Sequence, residues 1–308
     1  MAPHPLGMLR RVAEPEIEVS VVVPAYRAEA TLGSCLQSLF EQQLAGRFEI
    51  VVVVSADSPE GLPTLPDHPL LRVVTRTPRH SAAAARNLGA ALARGRAIAF
   101  TDADVIVPPD WLDRLTAADG GDSCVAGSVA NGTLASVPGT VEYLVEFFDL
   151  TPARSRPAWH GATCNLLVPR ALWDAYGPFP EDMGGCEDTL LTTWLRDAGR
   201  FRFAPEASVL HLNRQRMREV LAHQWMKGAT HARLAVKLGE TPAAPVSEGV
   251  RATYGRVLYL YRRLAEWTPE ELGRARRLGP LVLAAFGAWG LGLIVESRRL
   301  RRAISPVG

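Results

Sequence analysis

Short β-branched runs and stretches with apolar residues three and four positions apart take turns along the first hundred residues. Residues 19 to 24 read Val-Ser-Val-Val-Val-Pro, which predicts a buried parallel strand stopped by proline. Leu32, Cys35, Leu36, Leu39 and Phe40 then follow the i, i+3, i+4, i+7, i+8 spacing of one helix face. Further strands fit Glu49 to Val54, Leu71 to Thr75 and Ala97 to Phe100, and Ser81 to Arg94 is an Ala-rich helix closed by Gly95. Such alternation predicts a parallel α/β sheet, whose ligands sit off the carboxyl ends of the strands. Ala25, Asp57 and Asp102 all lie just after strand ends and are expected to converge on one crevice.

The middle of the chain is less regular. Strands are expected at Val125 to Val129, Thr163 to Val168 and Phe201 to Leu210, the last ending at His211. Helices are expected at Val141 to Phe148, from Pro169, and from Glu187 to Gly199, this last one following a loop that holds Gly184 and Gly185. Beyond His211 the pattern turns helical. Residues 216 to 238 carry Met217, Val220, Leu221 and Trp225 on one face, and His223, Lys227 and His231 at i, i+4, i+8 on another. The second stripe reads as a solvated face, or as cations for a diphosphate or an anionic acceptor. After Pro242 and Pro245, a helix fits Glu248 to Trp267.

Leu278 to Val295 is an uncharged run flanked by Arg274, Arg276, Arg277 and by Arg298, Arg299, Arg301, Arg302. As a helix it reaches about 27 Å, near the lower limit for a bilayer core. It could span a membrane, lie on one, or be a buried hairpin helix. Arginines on both flanks leave orientation open and suit an anionic surface.

Charge sharpens this division. The net charge of +2 is a cancellation: residues 1 to 210 hold 17 basic and 25 acidic side chains, residues 211 to 308 hold 17 and 7. The acidic part suits a bound cation, and the near-neutral whole argues against a nucleic-acid binder. The apolar share of 47% and charged share of 21% are those of a folded domain. Cys35, Cys124, Cys164 and Cys186 form no C-x-x-C pair, so thiols are expected free in a reducing compartment. Met1 to Arg11 does not read as a signal peptide.

The strongest local signal is Phe100-Thr101-Asp102-Ala103-Asp104 at a strand exit. Two carboxylates two residues apart there can share one hard divalent cation, Mg²⁺ or Mn²⁺, although a bare D-x-D is also a common helix-capping turn. Glu187-Asp188 opens a helix, where backbone N–H groups favour an ionised carboxylate; it is either a base or a plain cap. His211 could add a neutral imidazole to a carboxylate metal site, or be structural.

Val21-Val22-Val23-Pro24-Ala25-Tyr26, Arg86-Asn87-x-Gly89, Thr101-Asp102-Ala103-Asp104 and Glu187-Asp188 occur in the order seen in family 2 glycosyltransferases of the GT-A fold. The resemblance covers roughly residues 18 to 235. It implies a Rossmann-like, mostly parallel sheet flanked by helices, with a helical C-terminal extension. It implies inverting transfer from a UDP- or GDP-sugar with a divalent metal on the diphosphate. By that resemblance Asp104 and Asp102 hold metal, with His211 completing the shell in some members. Pro24, Ala25, Tyr26, Asp57, Arg86 and Asp102 border the donor. Asp188 is the base with Glu187 beside it, and the segment of Trp159 and Asn165 lines the acceptor side.

Two departures stand out. Ser55-Ala56-Asp57-Ser58 replaces the usual Asp-Asp-Gly-Ser, which leaves base recognition open; Gln224-Trp225-Met226-Lys227 lacks the Gln-x-x-Arg-Trp of processive synthases. The expected organisation is a flexible 1–15, a catalytic domain over 16–215, a helical extension over 216–270 and a membrane-associated 271–308. The expected enzyme is a non-processive transferase at the cytoplasmic membrane face, acting on a lipid, glycan or small-molecule acceptor. A metal-dependent nucleotidyltransferase and a catalytically degenerate sugar-nucleotide-binding module are the alternatives.

Overall fold

The structure, a computed structural model, describes residues 17–154, 158–241 and 246–304. The N-terminal segment expected over 1–15 lies outside the described residues. The first half follows the predicted alternation: β1 (Ile17–Tyr26), α1 (Leu32–Phe40), β2 (Arg47–Ser55), β3 (Leu71–Arg76), α2 (Ala82–Leu92) and β4 (Ala97–Thr101). Then come β5 (Val105–Ile106), α3 (Trp111–Asp119), β6 (Cys124–Asn131), α4 (Val137–Glu146), β7 (Asn165–Pro169) and α5 (Arg170–Tyr176). The chain closes with α6 (Glu187–Asp197), β8 (Phe201–His211), α7 (Met217–Lys237), α8 (Val246–Trp267), α9 (Pro269–Arg277) and α10 (Gly279–Ile304). The sequence pattern did not reveal β5, α3 or α9.

The strands form one sheet in the order β3-β2-β1-β4-β7-β6-β8-β5. β1 to β4 pair in parallel, with Val21 opposite both Ile50 and Ala99. The sheet is mostly parallel as expected, since β6 and β8 also pair in parallel; the exceptions are β7, antiparallel to β4 and β6, and β5, antiparallel to β8. Asn165, which starts β7, pairs with Thr101, which ends β4. A strand that enters where its neighbour stops must run the other way.

Successive strand residues feed opposite faces of the sheet. Val21 and Val23 pack with Leu36, Leu39, Trp111 and Leu115 on one side. Val22, Val51, Phe100 and Leu166 pack with Leu191, Leu195 and Trp173 on the other. All four cysteines are free and buried.

The C-terminal helices form a layer continuous with α4: Val141 and Leu144 share a core with Val220, Leu260, Val282 and Phe286. α7 and α10 touch backbone to backbone. A Cβ on Gly228 would stand 1.8 Å from the Trp289 carbonyl oxygen, and one on Gly292 would stand 2.0 Å from that of Trp225. Glycine is therefore required at both crossing points. More than half of the apolar window of α10 (56%) is buried in this layer, and its buried Glu296 pairs with Arg233 of α7 at 2.8 Å.

Candidate active site

Chain order and strand pairing assemble an acidic cluster at the carboxyl ends of the strands. Asp102 and Asp104 leave β4, and the two residues of β5 immediately pair with the end of β8, placing Val105 opposite His211. The Asp104 carbonyl also accepts from the Leu212 N–H at 2.8 Å. Asp104 and His211 thus meet, with His211 Nε2 at 3.6 Å from Asp104 Oδ1. One ligand atom each from Asp102, Asp104 and His211 lies within 4.8 Å of the others. Burial raises the Asp104 pKa; His211 opposes this and the Asp102 carboxylate adds to it.

The tautomer of His211 follows from its neighbour. Asn213 donates through Nδ2 to Asn131 Oδ1 at 3.0 Å and Thr133 Oγ1 at 3.1 Å. Its Oδ1 therefore faces His211 Nδ1, 3.1 Å away, and accepts a proton from it. The Nε2 lone pair is left facing the two aspartates, the form in which imidazole binds metal. Two carboxylates and a neutral imidazole fit a hard divalent cation. Asn213→Leu is expected to weaken Mn²⁺ affinity by about 10–100-fold, as measured by titration of the metal alone. Unchanged affinity would remove His211 from the site.

Arg86 of α2 ties this cluster to α6. Its Nη2 lies 2.6 Å from Asp102 Oδ1 and its Nη1 2.9 Å from Glu187 Oε1, and the side chain is only 7% exposed. Burial opposes its charge, but the two carboxylates outweigh it and raise its pKa. Glu187 is pushed up by burial, against the pull of Arg86. Glu187 thus organises the site through Arg86 and also lines the groove beside Asp188.

Three successive residues with positive φ, Gly184 (72°), Gly185 (144°) and Cys186 (62°), turn the chain into α6 and aim its N-terminus at the groove. Asp188 is gripped at both oxygens. Its Oδ1 accepts from the Thr189 N–H at 2.7 Å, and its Oδ2 from the Thr163 N–H at 3.1 Å.

Asp188 shares a groove of about 440 Å³ with Arg86, Asp102, Asp104, His211 and Lys227. A second space of about 290 Å³, bordered by Pro24, Ala25, Tyr26, Arg86, Asp102 and Asp104, continues it along the strand ends. Asp57 stands at the rim, where the Tyr26 hydroxyl donates to it at 3.0 Å and Arg27 at 2.9 Å; these contacts lower its pKa. The face of Tyr26 carries Arg79, whose guanidinium lies 4.1 Å from the ring centre.

Two acceptor-side expectations separate. Trp159 is 43% exposed and donates through Nε1 to Asp149 at 2.8 Å, beside the groove rather than in it. Asn165 is fully buried, with its amide held by Trp111, Ser128 and Ala207, so it orders the core and does not reach an acceptor.

The α7 stripe is not a solvated face. Lys227 is paired with buried Glu146 at 2.6 Å; burial opposes the pair, yet Glu146 is held below and Lys227 above its ordinary value. His223 lies 2.9 Å from buried Glu142. His231 packs on Trp289, and burial lowers its pKa to about 3. Glu142, Glu146, Thr163 and Asn213 are the residues that sequence reasoning missed. Nothing local marks them, since their partners are mostly tens of residues away.

A mixed sheet with acidic residues at its carboxyl ends and helices on both faces is the GT-A fold, which glycosyltransferases share. The family model described as "Glycosyl transferase family 2" matches residues 20–167, and this stretch is similar to that family. The pre-mycofactocin glycosyltransferase of Mycobacterium tuberculosis is 29% identical over 245 residues, covering 70% of this chain and 51% of its own. The chain thus spans about half the length of that relative. The succinoglycan biosynthesis protein ExoM of Rhizobium meliloti is 28% identical over 236 residues, 71% of this chain and 75% of its own. In fold, the chain resembles a mannosyltransferase from Pyrobaculum calidifontis in complex with GDP-Man and Mn²⁺. That likeness has a TM-score of 0.59 and 20% identity, over 90% of this chain and 88% of the other.

Proposed function

We propose that the protein transfers one sugar from a nucleotide-diphosphate donor to an acceptor hydroxyl, with inversion and without processive elongation. The observation that carries this reading is that Asp188 and the Asp102–Asp104–His211 cluster face one groove, bridged by Arg86. The acceptor hydroxyl loses its proton to the Asp188 carboxylate as its oxygen bonds to the anomeric carbon. The carbon–oxygen bond to the diphosphate breaks on the opposite side, and the leaving group takes the electron pair. Thr163 and Thr189 hold the Asp188 carboxylate in place. Lys227, kept charged by Glu146, adds a cation beside the leaving diphosphate. Mg²⁺ or Mn²⁺, held by Asp102, Asp104 and His211, would supply charge stabilisation for the leaving group. Gln224 is also held by Glu146, at 3.2 Å, so the counterpart of the processive motif is spent on internal contacts.

A screen of UDP- and GDP-sugars with proton NMR of the product anomer tests the reaction. Turnover of one donor is expected, falling about 100-fold or more on chelation and restored by Mn²⁺ or Mg²⁺. Turnover indifferent to chelator sinks the metal role, and a retained anomer sinks the inversion.

The same reading places the enzyme on a membrane surface through two helices rather than one span. Gly249 abuts Ile294 and Gly290 abuts Thr253, so α8 and α10 lie antiparallel. Val246, Val250, Tyr254 and Leu258 are exposed along α8, and Leu283, Leu291 and Val295 along α10. In each helix these residues lie one position beyond the mutual contacts or in step with those that do, so antiparallel packing turns both stripes to the same side. The apolar face is about 18 Å long. Arg262 continues the α8 stripe at one end, and exposed Arg298 and Arg299 follow α10 at the other. This is the pattern of an interfacial surface on anionic lipid. Co-sedimentation with vesicles containing phosphatidylglycerol is expected, and Val250→Glu with Leu291→Glu should reduce it about tenfold. Equal sedimentation of the double variant would sink the assignment.

A further inference from the structure

A third cavity, of about 570 Å³, opens between α4, α7, α8 and α10. Glu146, His160, Cys186, Thr189 and Lys227 line both this cavity and the groove, so the two spaces join next to the base Asp188. Phe148, Trp159, Tyr259 and Trp289 supply aromatic walls.

Glu146, Asp149, Lys227 and Arg256 line this cavity, and of these only Arg256 lacks an ion-pair partner among the described residues. Glu146 is neutralised by Lys227 at 2.6 Å. Asp149 is neutralised by Arg154 at 2.5 Å, and the Trp159 indole and Tyr259 hydroxyl also donate to it. Arg256 remains. Its guanidinium carbon lies 4.6 Å from the Trp289 ring centre and 5.9 Å from that of Phe286. Its Nε is buried with no hydrogen-bond partner, and among the described residues no carboxylate pairs with it. His160 Nδ1, on the same wall, also lacks a hydrogen bond. A half-buried guanidinium with a buried, unpartnered Nε is unfavourable in an empty site and favourable in one built for an anionic ligand.

We propose that this cavity is the acceptor subsite, and that Arg256 selects an organic anion: a carboxylate or phosphate monoester carried on an aromatic or otherwise apolar body. The acceptor role rests on the transferase reading above; the anion preference does not. The planar fork of Arg256 meets two anion oxygens at once, the aromatic walls take the apolar body, and the hydroxyl end points back toward Asp188.

Calorimetric titration of the full chain with phenyl phosphate, phenylacetate and uncharged benzyl alcohol tests this, with UDP and GDP plus Mn²⁺ titrated in parallel. At least one anion is expected to bind about tenfold tighter than benzyl alcohol, a typical gain for hydrogen bonds to a charged group. Phosphate and carboxylate are distinguished by which arm wins. Arg256→Met should abolish the preference and leave nucleotide affinity unchanged; Arg256→Gln serves the same purpose if the Met variant does not fold. Absence of any anion preference overturns the proposal. So does a preference that survives loss of Arg256, which would put the anion in the donor groove. An Arg256-dependent preference in a chain that binds neither nucleotide would keep the anion site but overturn both the acceptor role and the transferase reading.

Discussion

Asp188→Asn is expected to lower the transfer rate by about 10²–10⁴-fold while nucleotide affinity in the presence of Mn²⁺ stays at the level of the unaltered protein. Asparagine keeps the size of the side chain and one acceptor oxygen for Thr163 or Thr189, so the groove retains its shape. What disappears is the ability to take a proton from the acceptor. A drop in nucleotide affinity of similar size would mean that Asp188 belongs to the donor site. Full activity would mean that the proton goes elsewhere. Single-turnover kinetics beside calorimetry separates these outcomes.

Arg86→Met should lower the stability of the folded protein by about 3–5 kcal/mol, because it strands two carboxylates that share one buried cation. Asp102 and Glu187 sit on either side of the Arg86 guanidinium at 2.6 and 2.9 Å, and Glu187 is almost fully buried. Without the arginine, Glu187 is left with a raised pKa and no counter-ion. Loss of the Arg86 charge should raise that pKa further, so the carboxyl takes up a proton more readily than in the unaltered protein. The test is urea unfolding at pH 7: a loss under about 1 kcal/mol would show that the two acids find other partners. Arg86→Met with Glu187→Gln should recover part of the loss, since the second change removes one stranded charge.

Both predictions concern residues that the sequence marks well. Strand ends, a D-x-D and an acidic pair at a helix start are local patterns, and a parallel βαβ frame brings them together by rule. β1, β2 and β4 were legible because three or more consecutive buried valines or related residues admit few other readings. The direction of β7 was not legible, because pairing with β4 depends on where a long excursion re-enters the sheet. The α7 stripe misleads for a related reason. His223 and Lys227 look solvated until Glu142 and Glu146, about eighty residues earlier, are seen to occupy the facing turn of α4. Asn165 shows the reverse case: a polar residue in a motif-rich segment whose amide is used up in the core. The apolar run of α10 stayed ambiguous because its burial depends on glycines at Gly228 and Gly292 that allow two backbones to meet.

That contact links two scales of the molecule. Gly228 follows Lys227, which lines the groove, and it bears directly on Trp289 and Leu293 of the helix whose other side faces outward. With no side chain between the two backbones, their separation is set by direct backbone contact. A surface that holds the outward side of α10 therefore sets the height of Lys227 above it. An acceptor on that surface would reach the Asp188 carboxylate at one fixed elevation, with its reach set by the width of a helix pair instead of by a flexible tether.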